Sequence, residues 1–308
     1  MYFSDVIGNK VPVERINPSF IRRSPIALDV LRLDQLHKVI SGNKWFKLKC
    51  HLKEAQCRGI NTLLSFGGVW SNHLHAMAAA GHLLGFKTIG IVRGEKPVNP
   101  SAMLQDAESW GMKLVYVSRS EYRQRYQPEF HRILLNQLSL SSEQVLVIPE
   151  GGSGELGVKG CEDILSAGSV VLADYDEIWM ACGTGATLAG VIRSTQGAAW
   201  VRGFPVLKGV DFLNADIRQY LEPSDDRWSL ELNHHCGGYG KTTPELIQFI
   251  KEFERETGVP LDPVYTGKLL LALKHKVESG DMPQPMRLLL VHTGGLQGRR
   301  GFSEWNSD

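Results

Sequence analysis

Lys44 is the side chain of this sequence that is best placed to act as a nucleophile. It lies within residues 41–48, on a glycine-bearing turn directly before a predicted helix. A lysine attacks carbonyl groups only when burial or neighbouring charges lower its pKa enough to populate the free amine. Gly42 permits a tight turn, and Asn43 is a common residue ahead of a helix start. A capped helix followed by a solvated lysine is the alternative, so the other motifs must decide.

A glycine-rich turn at residues 65–73 follows a predicted strand and opens a predicted helix. In an open parallel sheet, ligands bind at the carboxyl ends of the strands, which is where this turn lies. Its glycines let a ligand approach the backbone, while Ser71 and Asn72 project at the helix N-terminus. A simple helix cap by Ser71 is the alternative interpretation.

A second glycine-rich turn, at residues 181–190, is suited to a phosphate because backbone N–H groups, the helix dipole and two threonine hydroxyls would face the anion. Its spacing matches neither GxGxxG nor GxxxxGK[ST]. The next predicted strand carries Arg202 instead of an acid, which favours a single phosphate over NAD. A plain glycine turn with a threonine cap is the alternative. The candidate phosphate ligands are Cys182, Gly183, Thr184, Gly185, Ala186 and Thr187.

A third turn, at residues 292–295, ends another predicted strand and offers the neutral hydroxyl of Thr293. Tyr239 and Tyr265 lie in further glycine-bearing segments, although a lone loop tyrosine usually only packs. One cofactor accounts for these features together. Pyridoxal 5'-phosphate needs a lysine for its aldehyde, a helix N-terminus for its phosphate, and a group that sets the state of its ring nitrogen.

The composition restricts the class of protein. At 308 residues the chain suits two domains that share a cleft. With 34 basic and 33 acidic residues it has no basic field for nucleic acid or an anionic membrane, so we expect a small-molecule partner. Five cysteines without CxxC spacing predict reduced thiols in a cytoplasmic protein, and no metal site is expected. We find no secretion signal and no apolar run of about 18 residues.

Strands and helices alternate along the chain, which predicts parallel sheets with helices on both faces. We expect residues 48–155 to form a smaller α/β domain, and residues 1–47 with 156–308 to form a larger one, the active site lying between them. Predicted strands cover residues 27–33, 62–66, 87–92, 113–117, 145–148, 177–181, 200–206 and 286–291. Predicted helices cover residues 45–58, 72–84, 101–110, 120–136 with a break at Pro128, and 243–257, with others beginning at Thr187 and after Tyr265.

Taken in order, the motifs resemble those of the 1-aminocyclopropane-1-carboxylate deaminase and D-cysteine desulfhydrase family. The matching segments are residues 41–44, 67–73, 183–187, 262–268 and 292–295, and the resemblance covers nearly the whole chain. It implies the two-domain α/β tryptophan synthase β-like fold, fold type II, with open, mainly parallel twisted sheets. It also implies pyridoxal 5'-phosphate as cofactor and a homodimer.

The resemblance assigns residues to the cofactor. Lys44 is expected to form the Schiff base, and Asn72 to contact the phenolic oxygen. Thr293 is expected at the pyridine nitrogen, and Lys47 is expected to join residues 182–187 in binding the phosphate.

The resemblance also assigns residues to the substrate. Ser71 and His73 are expected beside its carboxylate, with Tyr239 and Tyr265 over it. The implied substrate contacts are Trp70, Ser71, Asn72, His73, Tyr239 and Tyr265, and the implied catalytic residues are Lys44, Ser71, Tyr239 and Tyr265.

Within that family, deaminases carry Tyr-Glu where this chain has Tyr265-Thr266, and desulfhydrases carry Tyr-Thr. Thr266 therefore predicts a lyase of the D-cysteine desulfhydrase type, which converts a small D-amino acid to pyruvate, ammonia and, from D-cysteine, sulfide. The alternatives are a 1-aminocyclopropane-1-carboxylate deaminase, a protein that holds the cofactor without turnover, and a nucleotide-binding domain in which Lys44 is structural. Trp70 and His75 depart from the family pattern, and the bulk of Trp70 could reshape the substrate pocket.

Overall fold

Two β-sheets organise the computed structural model, which describes residues 10–40, 42–283 and 285–305. Ser41, at the start of the lysine turn, lies outside the described residues. The strands are β1 (Val13–Ile16), β2 (Ile26–Arg32), β3 (Thr62–Gly67), β4 (Lys87–Arg93), β5 (Lys113–Val117), β6 (Val145–Val147), β7 (Glu177–Cys182), β8 (Trp200–Pro205), β9 (Trp228–Leu230) and β10 (Met286–His292).

Eleven α-helices of the described residues surround the sheets. They are α1 (Asn43–Cys57), α2 (Asn72–Leu84), α3 (Ala102–Ser109), α4 (Arg119–Tyr122), α5 (Pro128–Gln137), α6 (Glu155–Cys161), α7 (Ile164–Ala167), α8 (Ala186–Thr195), α9 (Leu213–Arg218), α10 (Pro244–Thr257) and α11 (Thr266–Ser279). Short 3₁₀ segments cover Leu33–Gln35, Glu150–Gly152, Leu172–Asp174, Leu296–Gly301 and Ser303–Trp305. None of the helices in this part of the chain is long and apolar enough to cross a membrane.

Both sheets are open and mainly parallel, as the sequence predicted. The smaller sheet has the strand order β5-β4-β3-β6, with every pair parallel. Its strand β3 is buried along its whole length, which is typical of a strand covered by helices on both faces. The larger sheet has the order β1-β2-β10-β7-β8-β9; β1 runs antiparallel to β2, and the other pairs are parallel.

The predicted strands and long helices are confirmed within one or two residues at each end. The helical region expected at residues 120–136 is divided between α4 and α5, because Pro128 occupies the first turn of α5, where a missing N–H costs no hydrogen bond. The sequence did not predict α6, α7, α9 or β9. These elements have only 7, 4, 6 and 3 residues, which is too short for a clear hydrophobic period.

The helix that carries Lys44 contacts both halves of the chain. It packs against α2 beside the smaller sheet, and against α6 and α8 beside the larger one. One apolar cluster includes Leu48 of α1, Met77 of α2, Val158 of α6 and Val191 of α8. This cluster contains residues of both expected domains, so it marks no boundary between them. The domain boundaries therefore stay a prediction.

Candidate active site

The start of α1 is held against the end of β10. Gly42 has φ +73°, and a Cβ there would lie 2.1 Å from the carbonyl oxygen of Thr293. The Gly42 N–H donates to the Leu33 carbonyl at 2.8 Å, and the Asn43 N–H donates to the Thr293 carbonyl at 3.1 Å. Since the left-handed backbone and the close approach both require glycine, Gly42 determines the position from which Lys44 projects. Thr293, the predicted partner of the ring nitrogen, is itself buried beside this turn.

Lys44 and Lys47 lie about one turn apart on α1, and both have amines of low proton affinity. Burial lowers the pKa of Lys44 from 10.5 to about 8. Burial, and then the charge of Lys44, lowers the pKa of Lys47 from 10.5 to about 7. The Lys44 Nζ donates to Asn43 Oδ1 at 3.0 Å. Both lysines therefore populate the free amine near neutral pH, which is the form that attacks an aldehyde.

Two buried histidines extend this basic cluster. Burial, and then the charge of Lys47, lowers the pKa of His51 to about 4 and that of His73 well below its ordinary value. Two of their ring nitrogens, His51 Nε2 and His73 Nδ1, are buried without a hydrogen-bond partner among the described residues. Each basic group that becomes protonated lowers the pKa of its neighbours. A bound anion would offset this repulsion, so the cluster favours anion binding.

The glycine turn before α8 lies next to these amines. Gly185, at φ +79°, is the N-cap of this ten-residue helix, and a Cβ there would lie 2.6 Å from Ile217 Cγ1. The Thr184 hydroxyl oxygen accepts a hydrogen bond from Lys47 Nζ at 3.0 Å and lies 3.0 Å from Ser153 Oγ. A phosphate at this turn would therefore meet the N–H groups of α8 and the Lys47 amine together.

Other residues of the same turn face away from the amines or brace the turn. Asn43 Nδ2 donates to Thr187 Oγ1 at 2.8 Å, which joins the start of α8 to the start of α1. The Cys182 thiol packs toward Gly203 on β8, and burial raises its pKa to about 12. The neutral thiol leaves only the backbone of Cys182 available to a phosphate.

The turn before α2 uses its polar side chains partly within the protein. Ser71 Oγ accepts from the Leu74 N–H at 3.1 Å, so the expected cap is present, although its own proton remains for a ligand. Asn72 Oδ1 accepts from Gln297 Nε2 at 2.5 Å, which leaves the Asn72 NH₂ group to donate elsewhere. His75, two residues after His73, pairs through its Nε2 with Asp106 Oδ2 at 3.1 Å.

His73 lies beneath this turn as a neutral acceptor. The Ser65 hydroxyl donates to the Ile148 carbonyl at 2.8 Å, so it must accept from His73 Nε2 in their 2.8 Å contact. This tautomer leaves His73 Nδ1 unprotonated, on the side of Gly152 and Lys47. The neutral ring cannot attract a carboxylate by charge, so the predicted role beside the substrate carboxylate would fall to the His73 backbone.

Tyr239 and Tyr265 meet edge to face, with ring centroids 6.2 Å apart. Gly183 of the phosphate turn lies beneath Tyr265, since a Cβ on it would be 3.6 Å from the Tyr265 hydroxyl. Burial raises the pKa of both tyrosines, and raises that of Tyr265 well above the ordinary value. With raised pKa values both phenols stay protonated, so each could donate a proton but would not act as a base.

Two residues that the sequence analysis overlooked hold these tyrosines. The buried carboxylate of Asp262 accepts from the Val264, Tyr265 and Thr266 N–H groups at 2.8, 2.7 and 3.1 Å, and from the Thr266 hydroxyl at 3.1 Å. An aspartate before a helix start is a capping signal that could have revealed it. Buried Lys268 donates to the carbonyls of His235 and Gly238, at 2.9 and 2.7 Å, and so anchors the loop that carries Tyr239.

Four of the predicted substrate residues line one cavity of ≈ 240 Å³, namely Trp70, Asn72, Tyr239 and Tyr265. The residues around Lys44 fit pyridoxal 5'-phosphate, because the structure combines buried free amines, a glycine turn at a helix N-terminus and unpaired buried histidine nitrogens. Among the described residues there is no group of histidine, cysteine and acidic side chains that could hold a metal ion.

Comparisons with known proteins support the same cofactor. Residues 29–294 match a family model described as "Pyridoxal-phosphate dependent enzyme". The bifunctional D-cysteine desulfhydrase/1-aminocyclopropane-1-carboxylate deaminase of Arabidopsis thaliana is 30% identical over 84% of this chain and 70% of its own. A D-cysteine desulfhydrase of Yersinia pestis is 26% identical over 94% of this chain and 93% of its own. A crystal structure of an ACC deaminase homologue superposes with TM-score 0.80, at 25% identity, over 96% of this chain and 92% of its own.

Proposed function

The chain belongs to the pyridoxal-phosphate-dependent enzyme family, and on that premise we propose that it is a lyase of the D-cysteine desulfhydrase type. Its substrate would be a small D-amino acid with a leaving group on Cβ. D-Cysteine and one water would give pyruvate, ammonia and hydrogen sulfide. The observation that carries the proposal is the pair of buried free amines on α1 beside the glycine turn of α8.

The residues proposed to hold the cofactor surround Lys44. Pyridoxal 5'-phosphate, when bound, supplies an aldehyde that condenses with an amine and a ring that accepts electrons. Lys44 would hold the aldehyde carbon, and Lys47 would bind the phosphate with the N–H groups of α8. The NH₂ group of Asn72 would donate to the phenolic oxygen. Thr293 would place a hydroxyl at the ring nitrogen, and a hydroxyl would not keep that nitrogen protonated as a carboxylate would, which would suit elimination.

Three side chains of the protein would then bind the substrate or transfer its protons. Lys44 Nζ, with a pKa of about 8, would take the proton from Cα once the substrate amine has displaced it. Ser71 Oγ accepts from the Leu74 N–H and would use its own proton to donate to the substrate carboxylate. Tyr265, whose raised pKa keeps it protonated, would donate a proton to the leaving group.

A 1-aminocyclopropane-1-carboxylate deaminase is the second candidate, because the Arabidopsis relative carries both names. By the family resemblance, a deaminase carries a glutamate at position 266, whose carboxylate would serve the opening of the cyclopropane ring. Here that position is a buried threonine whose hydroxyl is bound to Asp262. This feature favours the desulfhydrase type.

The test compares products from purified holoenzyme. We expect pyruvate from D-cysteine and from β-chloro-D-alanine, and little α-ketobutyrate from 1-aminocyclopropane-1-carboxylate. Robust α-ketobutyrate with no pyruvate would reverse the choice of substrate. A protein with the yellow colour of the cofactor that yields neither product would be a cofactor-holding protein without turnover.

We further propose a homodimer in the cytoplasm. The support for a reducing compartment is that Cys50, Cys57, Cys161, Cys182 and Cys236 are all free. The dimer rests on the family resemblance, and sedimentation of the purified protein would test it.

A further inference from the structure

We propose that the cavity beside Tyr239 and Tyr265 is a subsite for a bulky apolar group on the leaving sulfur. The preferred substrates would then be S-substituted cysteines with an aryl or arylalkyl group, and not cysteine itself. This inference rests on the proposed elimination and specifies its leaving group.

The cavity is large enough to hold an aromatic ring. Its volume is ≈ 240 Å³, whereas an apolar cavity of about 150 Å³ is large enough to take up benzene. Because Trp70, Asn72, Tyr239 and Tyr265 are also proposed substrate contacts, the amino acid itself would take part of this space. An aromatic ring attached to the sulfur would occupy the part that a cysteine thiol leaves to water.

The lining of the cavity is largely apolar and aromatic. Trp70, Pro263, Val264 and Phe302 supply apolar walls, and the two tyrosine rings supply the remainder of the aromatic surface. No lysine, arginine or histidine is among the described residues that line the cavity. A charged leaving group would find no counter-ion there, while an apolar one would lose contact with water.

Asp262, the one acidic residue among the described residues of this lining, already makes hydrogen bonds within the protein. Both carboxylate oxygens of Asp262 accept hydrogen bonds from the N–H groups of Val264, Tyr265 and Thr266, at and just before the start of α11, and burial raises its pKa. Its lone pairs are therefore committed to the backbone, which leaves the aromatic walls to select the substituent.

The chain keeps this space open with glycines. Residues three apart lie on one face of a 3₁₀ segment, and Gly295, Gly298 and Gly301 all line the cavity. A Cβ on Gly301 would lie 2.9 Å from Trp70 Cε2, so the indole rests directly on the backbone and forms a fixed wall. A Cβ on Gly298 would meet nothing closer than Asn72 Oδ1 at 3.9 Å, so a larger side chain there fits the backbone and occupies the cavity.

The reaction is balanced without another reagent. The Cα proton is removed, the Cβ–S bond breaks, and the sulfur keeps the bonding electron pair and takes up one proton. One water converts the remaining fragment to pyruvate and ammonium. Thus RSCH₂CH(NH₃⁺)COO⁻ and H₂O give RSH, CH₃COCOO⁻ and NH₄⁺.

The kinetic test uses two thioethers that differ only in the ring. S-Benzyl-D-cysteine and S-methyl-D-cysteine are compared on the holoenzyme by pyruvate release. We expect kcat/KM to be at least tenfold higher for the benzyl compound, since even one methylene in an apolar pocket is worth about 10–200-fold.

The binding test uses unreactive analogues in which CH₂ replaces sulfur. D-2-Amino-5-phenylpentanoate should bind the holoenzyme at least tenfold more tightly than D-norvaline, measured by calorimetry. Gly298→Val, which fills the cavity, and Trp70→Leu, which removes its wall, should each reduce both ratios. Trp200→Leu makes the same tryptophan change on β8 and should leave them as they are. Retention of the cofactor absorbance shows that each variant is folded.

The outcomes separate this inference from the proposed function. Ratios near one in both tests overturn the apolar subsite, while pyruvate from β-chloro-D-alanine leaves the elimination standing. If none of the compounds releases pyruvate, the proposed function fails, and the ratio of the two dissociation constants still decides whether the cavity prefers an apolar group.

Discussion

Replacing Lys47 by methionine tests the electrostatics of the candidate site independently of any substrate. In the cofactor-free protein, burial and the charge of Lys44 hold the pKa of Lys47 at about 7, against 10.5 ordinarily. Below pH 7 the amine is protonated in the folded and unfolded states, and the full cost of burying the charge is present. Between the two pKa values the unfolded chain holds a proton that the folded chain lacks. The free energy of unfolding therefore rises with pH in this window.

The size of the effect follows from those two values. Between pH 7 and pH 8.5 the Lys47 amine contributes a rise of roughly 1.5 kcal/mol. Lys44, with a pKa of about 8, adds a smaller rise, roughly half as large. The Lys47→Met variant should lose the first contribution and keep the second.

Urea unfolding of the cofactor-free protein at four pH values between 7 and 8.5 measures this difference. Lys53→Met, which removes an exposed lysine of the same helix, is the matched control. Equal slopes in the wild type, Lys47→Met and Lys53→Met would refute the buried free amine. In the holoenzyme a phosphate beside Lys47 would raise the pKa of its amine, so the wild-type slope should shrink; an unchanged slope would mean that the phosphate binds elsewhere.

Four further predictions concern individual residues. Borohydride reduction and peptide mapping should find the cofactor on Lys44, and a label on Lys268 would contradict the assignment. Gly185→Val should abolish cofactor retention in equilibrium dialysis, because position 185 has φ +79° and a Cβ there lies 2.6 Å from Ile217; unchanged affinity would exclude the phosphate turn. Tyr265→Phe should keep the cofactor absorbance yet lose about 10²–10⁴-fold in kcat, the usual worth of a positioned acid, and a loss under tenfold would remove its hydroxyl from proton transfer. Lys268→Met should lower kcat/KM in the wild type but not in a Tyr239→Phe background, and additive losses would show that Lys268 does not act through Tyr239.

The fold was predictable because its signals are local. Strands such as β3 are continuous apolar runs, and helices such as α2 are bounded by a serine cap and a left-handed glycine. The lysine turn and the glycine turn were predictable for the same reason, since each is one short segment with its own backbone requirement. What the sequence could not supply is the contact between them, in which Asn43 holds Thr187 across 144 positions.

The missing parts of the site depend on tertiary structure. Lys268 looks like an ordinary helix lysine until the fold buries it under the carbonyls of residues 235 and 238. The pKa values of Tyr239 and Tyr265 are raised by burial, which a motif does not reveal. Sequence reasoning therefore identified the tyrosines but not the protonation state in which they act.

The basic cluster explains how two similar lysines on one helix could take different roles. With no anion present, burial and the charge of Lys44 lower the proton affinity of Lys47, and the buried rings of His51 and His73 stay neutral and supply no counter-charge. Lys47 lies against Thr184 of the phosphate turn, so an anion there would restore its charge. Lys44, held instead by the neutral oxygen of Asn43, gains less from that anion. Anion binding would thus make Lys47 the charged partner and leave Lys44 as the amine available to attack a carbonyl carbon.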